Sequence, residues 1–278
     1  MLKKIALGVI LFIYILLIFF SACTNLTKRQ PHFEHIRKMD IILESDHDSV
    51  IPYQNFIHLR KYIHTRELEN GDTEFCQAAE ENCNAYTEYS TASGIVVDRN
   101  KNKLKILTVD HWCSESIIEI IGLMYQDEDS EYIVPDISLH ADFYGETYMA
   151  KILEFDPIND ICLLEIQSEY AYKAKNIQIA KEKPKIGESV YALSAPAGVA
   201  SHKIRLEYEG KWSGCDDRLT KLPYCYFTIP AAPGSSGSGV FNEKGELVSL
   251  ISISMSGFDA ISGGPRQYFL SEILRSSN

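Results

Sequence analysis

From residue 86 onward the chain alternates short apolar runs with polar, Gly, Pro or Asp clusters. The runs are "ASGIVVD", "KLKILTVD", "IIEIIGLMY", "YMAKILEF", "ICLLEIQ", "SVYALSAP", "RLEYEGKW", "YCYFTIP", "GVFNE" and "ELVSLISIS". They are rich in Val, Ile, Leu and Tyr, residues that fit a pleated, half-buried surface. Many short strands with turns about every 8–12 residues predict an all-β sandwich or barrel. "NEKG", between Phe241 and Glu246, predicts a hairpin turn in which Gly245 takes positive φ. The final "RQYFLSEILRSS" spaces Tyr268, Phe269, Ile273 and Leu274 for a C-terminal helix packed on a barrel. "NFIHLRKYIHTRELEN" mixes two periods through Phe56, Ile57, Leu59, Tyr62 and Ile63, and reads as a helix or a strand. Residues 24 to about 60 are polar and irregular, as in a tether. Their His32, His35 and His47 lack the fixed spacing of metal ligands, so no metal is expected.

The chain begins "MLKKIALGVILFIYILLIFFSACTNL". Lys3 and Lys4 form a positive start, an unbroken apolar run extends from Ile5 to Phe20, and Ser21-Ala22-Cys23 follows. That order is an export signal over residues 1–22. Small residues just before a cysteine resemble the bacterial lipoprotein cleavage site, in which Cys23 is lipidated and becomes the new N-terminus. An uncleaved anchor helix and plain secretion are the alternatives. All three place the remainder outside the cytoplasm, at the periplasmic or extracellular face of the cell envelope. The first two tether it to a membrane.

Formal net charge is −11, with no Lys/Arg block beyond the first residues. Phosphate binding needs a basic footprint, so nucleic acid is excluded as a partner. Hydrophobic content of 45% suffices for a substantial core. Seven cysteines agree with an oxidising compartment. With Cys23 assigned to lipid, six remain. Cys76 with Cys83 and Cys215 with Cys225 are natural local pairs, which leaves Cys113 for Cys162. Six cysteines allow about fifteen pairings, and sequence does not choose among them. None shows zinc-ligand spacing.

Candidate chemistry gathers in three places. "PAAPGSSGSGVFNEKGELVSLISIS", residues 230 to 254, sets Ser236 among glycines before a strand. It is either an activated nucleophile or a flexible turn. His111, in "KILTVDHWC", ends an apolar strand and is either a base or a strand-end structural histidine. Asp160, in "EFDPINDICLLEI", stands immediately before a strand, with Asp156 and Asp142 as weaker candidates for the same role.

Together these segments resemble the chymotrypsin-like (trypsin-like) serine protease family, and within it the bacterial HtrA-like and glutamyl-endopeptidase-like members. "TASGIVVD…KILTVDHWC" resembles the strand pair that introduces the catalytic His. Asp160 matches the orienting Asp before an apolar strand. "PGSSGSGVFN" resembles the Gly-x-Ser-Gly signature, and "VYALSAPAG" the strand and loop between Asp and Ser. His111, Asp160 and Ser236 follow the chymotrypsin order. The resemblance covers residues 86 to 278 and leaves 23–85 as an N-terminal extension. It implies two packed antiparallel β-barrels with a C-terminal helix, and a serine endopeptidase acting on proteins or peptides without a metal or organic cofactor. It also implies oxyanion donors in the backbone N–H groups of Gly234 and Ser236. Ala231, Ile251, Ser252 and Ile253 are the expected lining of a pocket for a small or apolar side chain. The competing expectations are a catalytically inactive or latent protease-fold binding module and an unrelated surface β-sandwich.

Overall fold

In the computed structural model the described residues are 51–67, 73–76, 83, 85–114, 136–200, 206–216, 224–255 and 258–277. The export signal, Cys23, the histidines of the tether and the expected strand "IIEIIGLMY" lie outside them.

The first sheet is organised around β1 (Phe56–Glu67), which pairs with β2 (Thr73–Phe75) near its end and with β3 (Ala85–Asn100) along its length. β3 turns into β4 (Lys103–Thr108), and a single α-helical turn, α1 (Asp110–Cys113), follows after Val109. β5 (Ile137–Phe143), β6 (Glu146–Met149), β7 (Lys151–Asp156) and β8 (Ile161–Gln167) complete it. Pairing runs β6-β5-β1-β3-β4-β8-β7. The two end strands, β6 and β7, are consecutive and separated only by Ala150, whose N–H donates to the Leu139 carbonyl at 2.8 Å. The sheet therefore closes on itself.

The second sheet holds β9 (Ser189–Ser194), β10 (Leu206–Cys215), β11 (Tyr224–Phe227), β12 (Gly239–Asn242), β13 (Leu247–Leu250), β14 (Ile253–Met255) and β15 (Phe258–Pro265). Its order is β13-β12-β9-β10-β11-β15-β14. Here too the end strands are one run, broken only at Ile251 and Ser252, whose N–H groups donate to Ser238 and Gly263. Every strand pairing described is antiparallel. The expected double barrel is the observed fold. The "NEKG" hairpin joins β12 to β13 with Gly245 at φ 74°.

Packing explains why several strands read as continuous apolar runs rather than alternating ones. On β8, Cys162, Leu164 and Ile166 face the interior of the first barrel. Ile161 and Leu163 face a second apolar cluster with Leu193, Phe241, Leu247 and Leu250 from the other barrel. Both faces are buried, so both are apolar. The C-terminal helix α2 (Gln267–Ser276) closes this cluster through Leu270 and Ile273. Phe269 and Leu274 pack at its margin, while Tyr268, expected on the buried face, is exposed. A third cluster fills the second barrel around Trp212, Phe227 and Val240.

The expected domain start at residue 86 falls inside β3. β1, from the stretch assigned to the extension, lies between β3 and β5 in the first barrel. Three disulfides join Cys76 to Cys83, Cys113 to Cys162 and Cys215 to Cys225. Of the pairings left open by sequence, this is the set with two local loops.

Candidate active site

β4 ends at Thr108, Val109 stays extended, and α1 turns the chain. Trp112 and Cys113 are buried in the first barrel's core, and Cys113 is bonded to Cys162 on β8. These anchors fix the turn and leave the His111 side chain about half exposed, at 47%.

Asp160 reaches the same place from β7. The Asp156 carboxylate accepts the N–H groups of Ile158 and Asn159 and the Asn159 side-chain amide, which closes the turn after that strand. Asp160 then takes φ 54°, a left-handed conformation that Asp tolerates better than most residues. Its carboxylate accepts the His111 backbone N–H at 2.8 Å through Oδ1 and His111 Nδ1–H at 2.8 Å through Oδ2. Burial pushes this carboxyl up. Hydrogen bonds from the His111 ring and backbone, the electrostatic attraction of that ring and the hydrogen bond from the Ser252 hydroxyl outweigh burial and hold it below the ordinary carboxylate range. The other two candidate acids have different partners. Asp156 shapes the turn, and Asp142 pairs with Arg60 and His58 on the first barrel.

Ser236 comes from the loop before β12, between Gly234 at φ 93° and Gly237 at φ 85°. His111 Nε2 lies 3.1 Å from Ser236 Oγ. With Nδ1–H donated to an ionised carboxylate, Nε2 carries the lone pair and accepts from the serine hydroxyl. The structure thus brings together the expected His, Asp and Ser, with Ser236 from one barrel and His111 and Asp160 from the other. Within this loop, the N–H groups of Ser235, Gly237 and Ser238 are bonded to Ala232, Ile251 and Ser235. No carbonyl among the described residues takes those of Gly234 or Ser236.

The expected specificity residues are redistributed. Ile251 packs inside the second barrel, and Ala231 lies against the same cluster. Ser252 is buried, and its hydroxyl donates to Asp160 Oδ2 at 2.5 Å. Since its one proton goes to the carboxylate, the Tyr224 hydroxyl donates to Ser252 Oγ at 3.1 Å. Burial raises the Tyr224 phenol and keeps it protonated. Ser252 is thus a hydrogen-bond partner of Asp160, and of the four only Ala231 and Ile253 are partly exposed. Its place beside a strand break gave no sequence signal of this. A cleft of about 420 Å³ lies between Glu88–Thr91 of β3, Ala197 and Pro233–Gly234.

Comparison with known proteins agrees with this geometry. Over 105 residues the chain is 33% identical to a "Probable periplasmic serine endoprotease DegP-like" from Pseudomonas putida (strain GB-1), a match spanning 36% of this chain and 20% of that protein. It is 30% identical to the protein of the same description from strain W619 over the same shares. The chain thus spans about a fifth of the length of the curated relatives it matches. The crystal structure of the serine endoprotease from Yersinia pestis shares its fold, with a TM-score of 0.52 and 15% identity over 81% of this chain and 63% of that one. The sequence model of the trypsin-like peptidase domain matches residues 92–250, more than half the chain, and the protein belongs to that family.

Proposed function

We propose that this protein is a serine endopeptidase of the cell envelope, hydrolysing peptide bonds through Ser236, His111 and Asp160. The observation that carries the proposal is the unbroken relay from Asp160 Oδ2 to His111 Nδ1 at 2.8 Å and from His111 Nε2 to Ser236 Oγ at 3.1 Å. A serine hydroxyl is too weak an acid to attack an amide unaided, so a positioned base is required. Ser236 Oγ attacks the carbonyl carbon while its proton passes to His111 Nε2. Asp160 holds the Nδ1–H and stabilises the imidazolium. The carbonyl oxygen becomes an oxyanion facing the N–H groups of Gly234 and Ser236. Losing one such donor typically costs about 3–4 kcal/mol. Collapse breaks the C–N bond, and His111 gives its proton to the leaving amine. Water enters, His111 takes one of its protons, and the oxygen attacks the acyl ester. A second collapse releases the carboxylic acid and returns the proton to Ser236.

An envelope location is supported by the leader "MLKKIALGVILFIYILLIFF", by three disulfides and by relatives whose names describe them as periplasmic. Attachment through a lipid on Cys23 or through an uncleaved leader belongs to the same proposal. Incubating the full chain with an unfolded, alkylated protein and sequencing the products by mass spectrometry tests it. Internal cleavage that disappears in Ser236→Ala is expected. An intact substrate in the presence of folded wild-type protein contradicts catalysis and favours the binding module.

A further inference from the structure

The nucleophile loop is held by a residue of the other barrel that none of the steps above uses. Ser93, on β3, is fully buried, and each of its polar groups is engaged. Its N–H donates to the Ser236 carbonyl at 2.8 Å, and its hydroxyl donates to the Gly234 carbonyl at 2.9 Å. The same hydroxyl accepts the Ala195 N–H at 3.0 Å. Its carbonyl accepts the Thr108 hydroxyl at 2.8 Å, three residues before His111.

Ala195 leads into the turn Pro196–Gly198, where Ala197 has φ 53°. A left-handed alanine is strained and persists only where its surroundings impose it. Here the Ala197 N–H donates to the Pro233 carbonyl at 2.6 Å. No cis peptide occurs in the described chain, so the Pro233–Gly234 bond is trans. With its C=O held by the turn, the N–H of Gly234 points the opposite way, out of the turn. A Cβ at Gly234 would sit 2.4 Å from the Ala195 carbonyl and 3.2 Å from the nitrogens of Ala197 and Gly198. The loop and the turn are thus in direct contact, and Ser93 is hydrogen-bonded to both.

We propose that Ser93 and the Pro196–Gly198 turn form a clamp that fixes the Pro233–Gly234 peptide with its N–H directed at the developing oxyanion. The inference rests on the assignment of Ser236 as nucleophile. Ser93 is a positioning residue: it touches no substrate and acts through the peptide that does. Without its hydroxyl, the Gly234 carbonyl and the Ala195 N–H both lose their partner, and the loop can rotate the donor away. The imidazole and its carboxylate are untouched by this change.

The experiment uses a fluorophosphonate on the full chain. In this probe the phosphonyl oxygen takes the place of the acyl oxygen, fluoride leaves, and the serine proton passes to His111. Saturation kinetics separate the reversible constant KI from kinact, and melting of each variant is followed in parallel. In Ser93→Ala, kinact is expected to fall about 10- to 100-fold, less than the roughly 10²- to 10³-fold cost of removing an oxyanion donor outright, because the donor is misdirected and not deleted. KI and the midpoint of the acid limb of kinact should stay as in wild type. Ser93→Thr, which keeps the hydroxyl, should restore most of the rate. A change confined to melting temperature, with kinact undiminished, overturns the clamp. So does a moved acid limb, because the effect would then pass through His111. Should Ser93→Ala not fold, Pro196→Gly at the half-buried turn decides: a several-fold loss of kinact supports the clamp, and wild-type kinact overturns it. A folded wild-type protein that takes no label at Ser236 overturns the nucleophile assignment itself. Labelled wild type with undiminished Ser93→Ala overturns the clamp alone.

Discussion

Asp160→Asn probes what the acid contributes. The carboxylate takes three hydrogen bonds on two oxygens, two from His111 and one from Ser252. An asparagine has one acceptor oxygen and one donor nitrogen. With the nitrogen at the Oδ1 place, it opposes the His111 backbone N–H. With the nitrogen at the Oδ2 place, it faces Nδ1, which must then accept, so the ring proton moves to Nε2 and faces Ser236. That tautomer cannot take the serine proton. The charge is lost as well. At the observed 2.8 Å, and with an effective dielectric of about 20, a full carboxylate–imidazolium pair is worth roughly 6 kcal/mol. His111 is about half exposed, so water screens part of this, and roughly 4–5 kcal/mol is the working figure. That corresponds to a loss of about 10³- to 10⁴-fold in rate. The assay is the pseudo-first-order rate of fluorophosphonate labelling at pH 8, with urea unfolding as the control for fold. A folded Asp160→Asn protein within tenfold of wild type would refute the assignment of Asp160 as the orienting acid.

Two further predictions concern the scaffold. Replacing both Cys113 and Cys162 with Ala opens a bridge of sequence separation 49, and loop-closure entropy sets the expected loss at about 4 kcal/mol, read from urea unfolding. Because the bridge joins the segments carrying His111 and Asp160, labelling should fall at temperatures where the variant is still folded. Asp142 tests the first barrel's pH dependence. Burial raises its carboxyl, but hydrogen bonds from His58, Thr147 and Arg60 prevail and lower it from 3.8 to about 2. A depressed carboxylate contributes stability that is full above its unfolded value and lost as pH falls through the folded one. Asp142→Asn should therefore cost about 2 kcal/mol at pH 7, and the difference from wild type should shrink between about pH 4 and pH 2. An equal deficit at both ends of that window would contradict the pairing.

The strands legible in the sequence are the short runs rich in Val, Ile, Leu and Tyr between turn residues: β3, β4 and β7 to β13. β1 was ambiguous for a physical reason. Lys61 is 2% exposed inside the first barrel, its ammonium 5.3 Å from the Trp112 ring and 3.4 Å from the Ser114 carbonyl. His58 and His64 are buried beside it in sequence. Polar residues satisfied by tertiary partners look like a surface stretch until those partners are known. β15 was hidden by glycines that permit close approach: a Cβ at Gly264 would fall 1.6 Å from the Leu250 carbonyl. At the site, residue type and chain order pointed to His111, Asp160 and Ser236. Ser252 turns to Asp160 at the break between β13 and β14 while its neighbour Ile251 packs inside the second barrel, a difference set by tertiary contacts that no local pattern shows. The bond from Ser93 to the nucleophile loop spans 141 residues, beyond any local pattern.

The most direct test of the central claim is covalent labelling of the purified full chain with a fluorophosphonate, followed by peptide mapping. One phosphonyl group per molecule on Ser236, absent from Ser236→Ala and from His111→Ala, is the predicted result. A folded, disulfide-intact protein that takes no label, or that is still labelled in Ser236→Ala, would contradict it.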